Sequence, residues 1–179
     1  MNEYPETYEA RSARNEFDPE RTIRPGAPLP DFAFASLDDS TVVVSREALL
    51  GRPYLLDFWA VWCGPCIGEL PNLHEVHERF SGEGFEIVSV SFDRKPEDVT
   101  EFRAKEKWKM PWLHVFAPGG LGGDVARTFA VQGIPRHILV RPDGTIFEAG
   151  SGLRGPRLGK KVAELLGHEP EAPEEESGG

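Results

Sequence analysis

The chain has only two cysteines and two methionines in 179 residues, and it lacks any long apolar run. Two thiols cannot make a network of stapling disulfides, and a chain of this length can bury a core without one. No stretch approaches the roughly 18 consecutive apolar residues of a membrane-crossing helix, so no integral span is expected. The first thirty residues, MNEYPETYEARSARNEFDPERTIRPGAPLP, lack an apolar h-region, so a secretory signal is expected to be either absent or already removed. Basic charge is in deficit: 20 Lys and Arg against 30 Asp and Glu give a net charge of −10. Such a chain is repelled by phosphate backbones, which argues against a nucleic-acid partner. Half of the excess lies in the terminal HEPEAPEEESGG, at Glu169, Glu171, Glu174, Glu175 and Glu176. Residues 168–179 therefore read as a disordered acidic tail.

What is present is the composition of a soluble globular protein, 39% hydrophobic and 28% charged. Residues 1–25 are polar and proline-punctuated, an extended lead-in, and one domain is expected over 26–167. FAFASLDDSTVVV predicts a hairpin around Asp38-Asp39-Ser40, and SREALLG predicts a helical turn capped by Ser45 and stopped by Gly51. PYLLDFWA and FEIVSVSF are nearly continuous apolar runs of strand length, as expected of strands covered on both faces. Between them Leu70, Leu73, Val76 and Phe80 recur at helical spacing, giving strand-helix-strand. Pro96 is expected to open a helix reaching about Lys107, with Val99 and Phe102 inward. WLHVF follows as a strand and GGDVARTFA as a helix. RHILVR and TIFEAG flank the Pro142-Asp143-Gly144 turn as a hairpin, and Leu158, Val162, Leu165 and Leu166 line a last helix. Alternating elements ending in a hairpin and a helix predict an α/β/α sandwich around a mixed sheet.

Both cysteines lie in LLDFWAVWCGPC. Cys63 falls where a buried strand gives way to a helix, beside unpaired N–H groups and the positive dipole end that favour thiolate. Cys63 is therefore the expected nucleophile. Cys66 lies one turn deeper and is placed to resolve a mixed disulfide on Cys63. Gly64 and Pro65 suit the tight helix entry. A zinc site made with His74 and His77 is disfavoured, because eight helical residues separate Cys66 from His74 by about 12 Å. That histidine pair is expected on the solvated side of the helix. As a structural staple, a Cys63–Cys66 bond would constrain little, since its loop is tiny.

Asp57 interrupts the apolar run and needs a partner, or a titration, if it is buried; otherwise it reaches water at a strand edge. Glu69, three residues past Cys66, either joins Asp57 behind the buried thiol as a proton relay or is an ordinary exposed helix residue. Trp62 is expected as a flat rim for a partner, whereas Trp59 reads at least equally as core. Pro71 should kink the helix and is structural.

At WCGPC the sequence resembles the thioredoxin family, and the likeness extends over residues 26–167. DFWAVWCGPC carries that family's buried aspartate at Asp57. IGELP is similar instead to the TlpA/ResA branch, in which a glutamate at the place of Glu69 assists the thiols. Residues 93–130 match that branch's central αβ insertion, and the N-terminal hairpin is a further extension. The resemblance implies a cis Ile134-Pro135 in VQGIPRHILV, facing the thiols and holding substrate backbone. Arg136 and His137 stand where the family often has small hydroxyl residues; they either bias partner choice by charge beside the groove or point elsewhere.

The expected function is thiol-disulfide exchange through Cys63 and Cys66, with Asp57 and Glu69 assisting and Trp62, Gly64, Pro65, Ile134 and Pro135 binding substrate. The Gly-Pro spacer resembles that of reducing members. Expected partners are protein thiols and disulfides and an upstream thiol donor, with no cofactor beyond the redox-active disulfide and with a monomer as the working unit. The branch implies a periplasmic or envelope-tethered setting, in cytochrome maturation or copper-site assembly. Two other functions fit less well. A thiol peroxidase would need Thr three residues before its cysteine, where Ala60 stands, and a redox-inactive binding module would not need two thiols.

Overall fold

Alternating apolar runs and helical repeats fold as their periods dictate. The computed structural model describes residues 22–150 and 152–169; the outer parts of the lead-in and the acidic tail lie outside the described residues. In chain order it contains β1 Ala33–Ala35, β2 Val43–Ser45, β3 Tyr54–Trp59, α1 Gly64–Phe80, β4 Glu86–Ser91 and α2 Pro96–Arg103. Then follow β5 Leu113–Phe116, α3 Asp124–Thr128, β6 Arg136–Val140, β7 Ile146–Ala149 and α4 Pro156–Leu165. The central sheet runs β5-β4-β3-β6-β7, with β3, β4 and β5 parallel and β6 and β7 antiparallel to their neighbours. The N-terminal hairpin β1–β2 forms its own two-stranded sheet, bridged to β5 between Ser36 and Val115.

Side chains alternate across β3, so Tyr54, Leu56 and Phe58 enter one core and Leu55 and Trp59 the other. The first core is completed by Val88, Val90, Ile138 and Val140 under the hairpin and α3, and Ile23 from the lead-in is buried in it. The second is completed by Ile87 and Leu139 under Leu70, Leu73, Val76 and Phe80 of α1, Val99 of α2, and Leu158 and Val162 of α4. This is the three-layer α/β/α sandwich expected from the sequence, with β5 and its flanking helices as the insertion between β4 and β6.

Two local expectations change, and one turn forms as expected. Residues 46–51 make the single helical turn read from SREALLG: Ser45 Oγ accepts the Ala48 N–H and Ser45 O the Leu49 N–H, both at 3.1 Å, and Gly51 at φ +88° ends the turn and donates to Pro142 O. The helix from Pro96 ends at Arg103, because the chain becomes extended at Lys105 and a 3-10 turn brings Trp108 to stack on Phe102 at 5.3 Å. His74 and His77 are half-buried rather than solvated, with their rings 4.9 and 5.6 Å from that of Trp112. Pro71 lies inside α1, which runs on through it to Phe80.

Candidate active site

β3 ends at Trp59, and the chain turns within four residues into α1, whose N-cap is Cys63. The N-cap backbone is extended, and Cys63 Sγ takes the place a hydroxyl or carboxylate oxygen usually fills, accepting the Cys66 N–H at 3.2 Å. Cys63 and Cys66 are disulfide-bonded, with Cα atoms 5.2 Å apart. When the bond is reduced, the same N–H and the helix dipole favour negative charge on Cys63. Gly64 and Pro65 are exposed beside the pair, and Trp62 is 60% exposed. Trp59 is core, edge-on to Phe102 at 5.6 Å.

The loop carrying Cys63 is pinned from β4 by a residue the sequence reading passed over. Asp93, just past the strand, accepts the Val61 N–H at 3.1 and 3.2 Å on its two oxygens and the Ser91 hydroxyl at 2.8 Å. Burial raises its pKa, against the hydrogen bonds from Ser91 and Val61. Its signal was topological: it follows the carboxyl end of a parallel strand, next to the end of β3, where open α/β sheets gather their functional groups.

The Ile134-Pro135 bond is cis. Ile134 packs into the apolar cluster that contains both cysteines, and Pro135 O accepts Arg154 Nη2 at 2.6 Å. Arg154 was likewise not foreseen. Glu69 is engaged rather than free in solvent: Oε2 accepts Gly155 N–H at 3.0 Å and Asn72 Nδ2 at 3.2 Å, tying α1 to the N-cap of α4.

Asp57 does not reach water; it is 2% exposed. Cross-strand register sets His114, Ser89, Asp57 and His137 in one row over β5, β4, β3 and β6. Strand alternation points the whole row at the face covered by α1 and Cys66. All four are buried. Ser89 Oγ donates to Asp57 Oδ2 at 2.7 Å and accepts Trp112 Nε1–H at 2.9 Å, while His137 Nε2 lies 3.2 Å from Asp57 Oδ1. His137 therefore points inward beneath the helix and is not a charge beside the groove. Burial works against its protonation, but the hydrogen bond and charge of Asp57, the Leu153 carbonyl and the charge of Glu69 together raise its pKa above the ordinary histidine value. His114 goes the other way: burial first, then the Arg103 guanidinium, lower it to about 3, against smaller opposing effects of Asp38 and Met110 O.

Comparison with known proteins places this geometry. Residues 51–146 match a family model described as Thioredoxin-like. The chain is 30% identical over 139 residues to the thiol-disulfide oxidoreductase ResA of Oceanobacillus iheyensis, covering 75% of this chain and 69% of that protein. It is 34% identical over 102 residues to the tryparedoxin of Trypanosoma brucei brucei, covering 56% and 68%. Among solved structures, the thioredoxin domain of a thiol-disulfide oxidoreductase from Bacteroides vulgatus superposes with a TM-score of 0.70 at 29% identity, over 80% of this chain and 99% of that one. A putative thiol:disulfide interchange protein DsbE from Chlorobium tepidum gives 0.70 at 28% identity over the same shares.

Proposed function

The chain belongs to the thioredoxin-like family and is a thiol-disulfide oxidoreductase of the ResA/TlpA type; on that premise we propose that it reduces disulfides of partner proteins. One observation carries this reading: Cys63 caps α1 with its own sulfur and is disulfide-bonded to Cys66 one turn below. In the reduced form, Cys63 thiolate attacks a partner disulfide, forming the mixed disulfide as the partner S–S bond breaks and one partner thiolate leaves. Cys66 then gives up its proton and attacks Cys63 Sγ, expelling the second partner thiolate. Two electrons pass from the dithiol to the partner, and the chain is left as the Cys63–Cys66 disulfide.

Asp57 and Glu69 supply the carboxylates between which the Cys66 proton moves. Trp62, Gly64 and Pro65 form one wall for the partner peptide, and Ile134 with Pro135 forms the other. The reducing direction draws its support from the Gly-Pro spacer, and an upstream thiol donor returns the disulfide to the dithiol. The likeness to ResA and DsbE supports work outside the cytoplasm of a bacterium, on envelope thiols; the proposed working unit is a monomer. The Cys66→Ser variant tests the reading: it should hold partners as disulfide-linked adducts that a reductant releases. Recovery of no adducts from native cells, with no reduction of insulin by the unmodified chain, would overturn it.

A further inference from the structure

The buried row beneath α1 contains more chemistry than the exchange reaction has so far used. His137 Nδ1 faces the Leu153 carbonyl, which can only accept, so Nδ1 carries a proton. The other ring nitrogen, Nε2, faces Asp57 Oδ1 at 3.2 Å. One further proton must lie on that line, on nitrogen or on oxygen, because two lone pairs would otherwise confront each other in a buried site. In either position the pair as a whole is neutral. Ser89 fixes the carboxylate from the opposite side through Oδ2, and Trp112 fixes Ser89.

We propose that His137 is a positioning residue for disulfide exchange: with Asp57 it holds a shared proton under the helix that carries Cys66, so that the resolving thiol loses its proton without leaving net charge in the core. This role presupposes dithiol exchange at Cys63. The Cys66 proton moves to the pair, directly or through water. The pair becomes AspH with HisH⁺, one positive charge, and Cys66 becomes a thiolate, one negative. The thiolate attacks Cys63 Sγ and the leaving partner thiolate departs. The pair then gives its extra proton to solvent or to that thiolate, and the neutral pair returns.

Without His137, the same transfer to Asp57 would exchange one uncompensated buried negative charge for another, whereas the pair keeps the site neutral before and after the proton moves. The charges facing His137 favour a cationic ring: Asp57 from β3, Glu69 from α1 and the Leu153 carbonyl from the loop before α4, while β4 presents only the neutral Ser89 hydroxyl. The Arg154 guanidinium on the same loop is directed to Pro135 O.

The two thiols can be timed separately. Reduced full-length protein mixed with the chromogenic disulfide 5,5′-dithiobis(2-nitrobenzoate) releases one coloured thiolate when Cys63 attacks and a second when Cys66 resolves. His137→Gln should leave the first release within about twofold of the unsubstituted protein. It should slow the second at least about tenfold near neutral pH and move its pH midpoint upward. Asp57→Asn should do the same, and the double variant should be no slower than the slower single one. A second release whose pH profile is unchanged in His137→Gln, or slowed equally at every pH, would overturn the proposal and leave His137 a packing residue; so would additive effects in the double variant. Absence of the first release from the unsubstituted protein would instead sink the exchange reading itself. Should His137→Gln not fold, imidazole nitrogen spectra of the unsubstituted protein decide. Nδ1 should stay protonated from about pH 5 to 9 and the Nε2 resonance should shift when Cys63–Cys66 is reduced; an unshifted Nε2 overturns the role.

Discussion

Replacing His114 by Gln should remove much of the chain's sensitivity to acid. His114 lies at the β5 end of the buried row, its Nε2 3.2 Å from Met110 O, near an Arg103 guanidinium that grips Asp38 at 2.8 and 3.2 Å. Burial, then the positive Arg103, depress its pKa from 6.5 to about 3. For a depressed group the stabilising contribution is complete above the unfolded value and is lost as pH falls, because the unfolded chain takes up a proton the native state refuses. Two pH units below the unfolded value, at about pH 4.5, the loss approaches about 3 kcal/mol. That is a large share of a typical total of about 5–15 kcal/mol and corresponds to roughly 6–12 °C in Tm for a chain of this size. The Gln amide can still donate to Met110 O but does not titrate. Urea unfolding followed by tryptophan fluorescence at about pH 7.5 and 4.5 should show the unsubstituted protein losing about 3 kcal/mol more than His114→Gln. Equal losses in the two proteins would refute the reasoning.

Asp93 has a raised pKa, so protonation favours its folded state and that contribution is lost as pH rises through the folded value. Asp93→Asn, which can still accept from Val61, should match or exceed the parent's urea midpoint at neutral pH and converge with it in acid. Asp93→Ala, which abandons the Val61 N–H, should lose about 1–3 kcal/mol; equal midpoints for the Asn and Ala variants would contradict the pinning role. Trp62→Ala removes an exposed rim and should raise KM for a protein disulfide roughly 5–30-fold, the equivalent of about 1–2 kcal/mol, with kcat and Tm nearly unchanged; a fall in kcat at constant KM would assign Trp62 another role. Phe80→Ala, fully buried against Phe85, should cost about 3–5 kcal/mol in urea unfolding, and a loss below about 1 kcal/mol would contradict its place in the core.

The parts of the fold that were legible in sequence were those fixed by period. Doubly covered β3 and β4 appear as unbroken apolar runs, and α1 appears through Leu70, Leu73, Val76 and Phe80. Cys63 was legible as a helix opener because strand and helix signals meet at it. Cross-strand neighbours were not legible, since register joins residues far apart in sequence: nothing local pairs Asp57 with His137, 80 positions away, or Val61 with Asp93, 32 away. His74 and His77 misled for the same reason, because the Trp112 ring that covers them comes from the insertion. The end of α2 at Arg103 was set by the stacking of Trp108 on Phe102, a tertiary contact that helix propensity does not encode.

Alkylation of the fully reduced protein by iodoacetamide at neutral pH, with each modified thiol located by peptide mapping, tests the central claim most directly. A sulfur capping α1 and accepting the Cys66 N–H should react severalfold to about tenfold faster than free cysteine, so Cys63 should be modified well before Cys66, although both are buried in the disulfide form, at 5% and 3% exposure. Equal and slow modification of both thiols, at the rate of free cysteine, would contradict it.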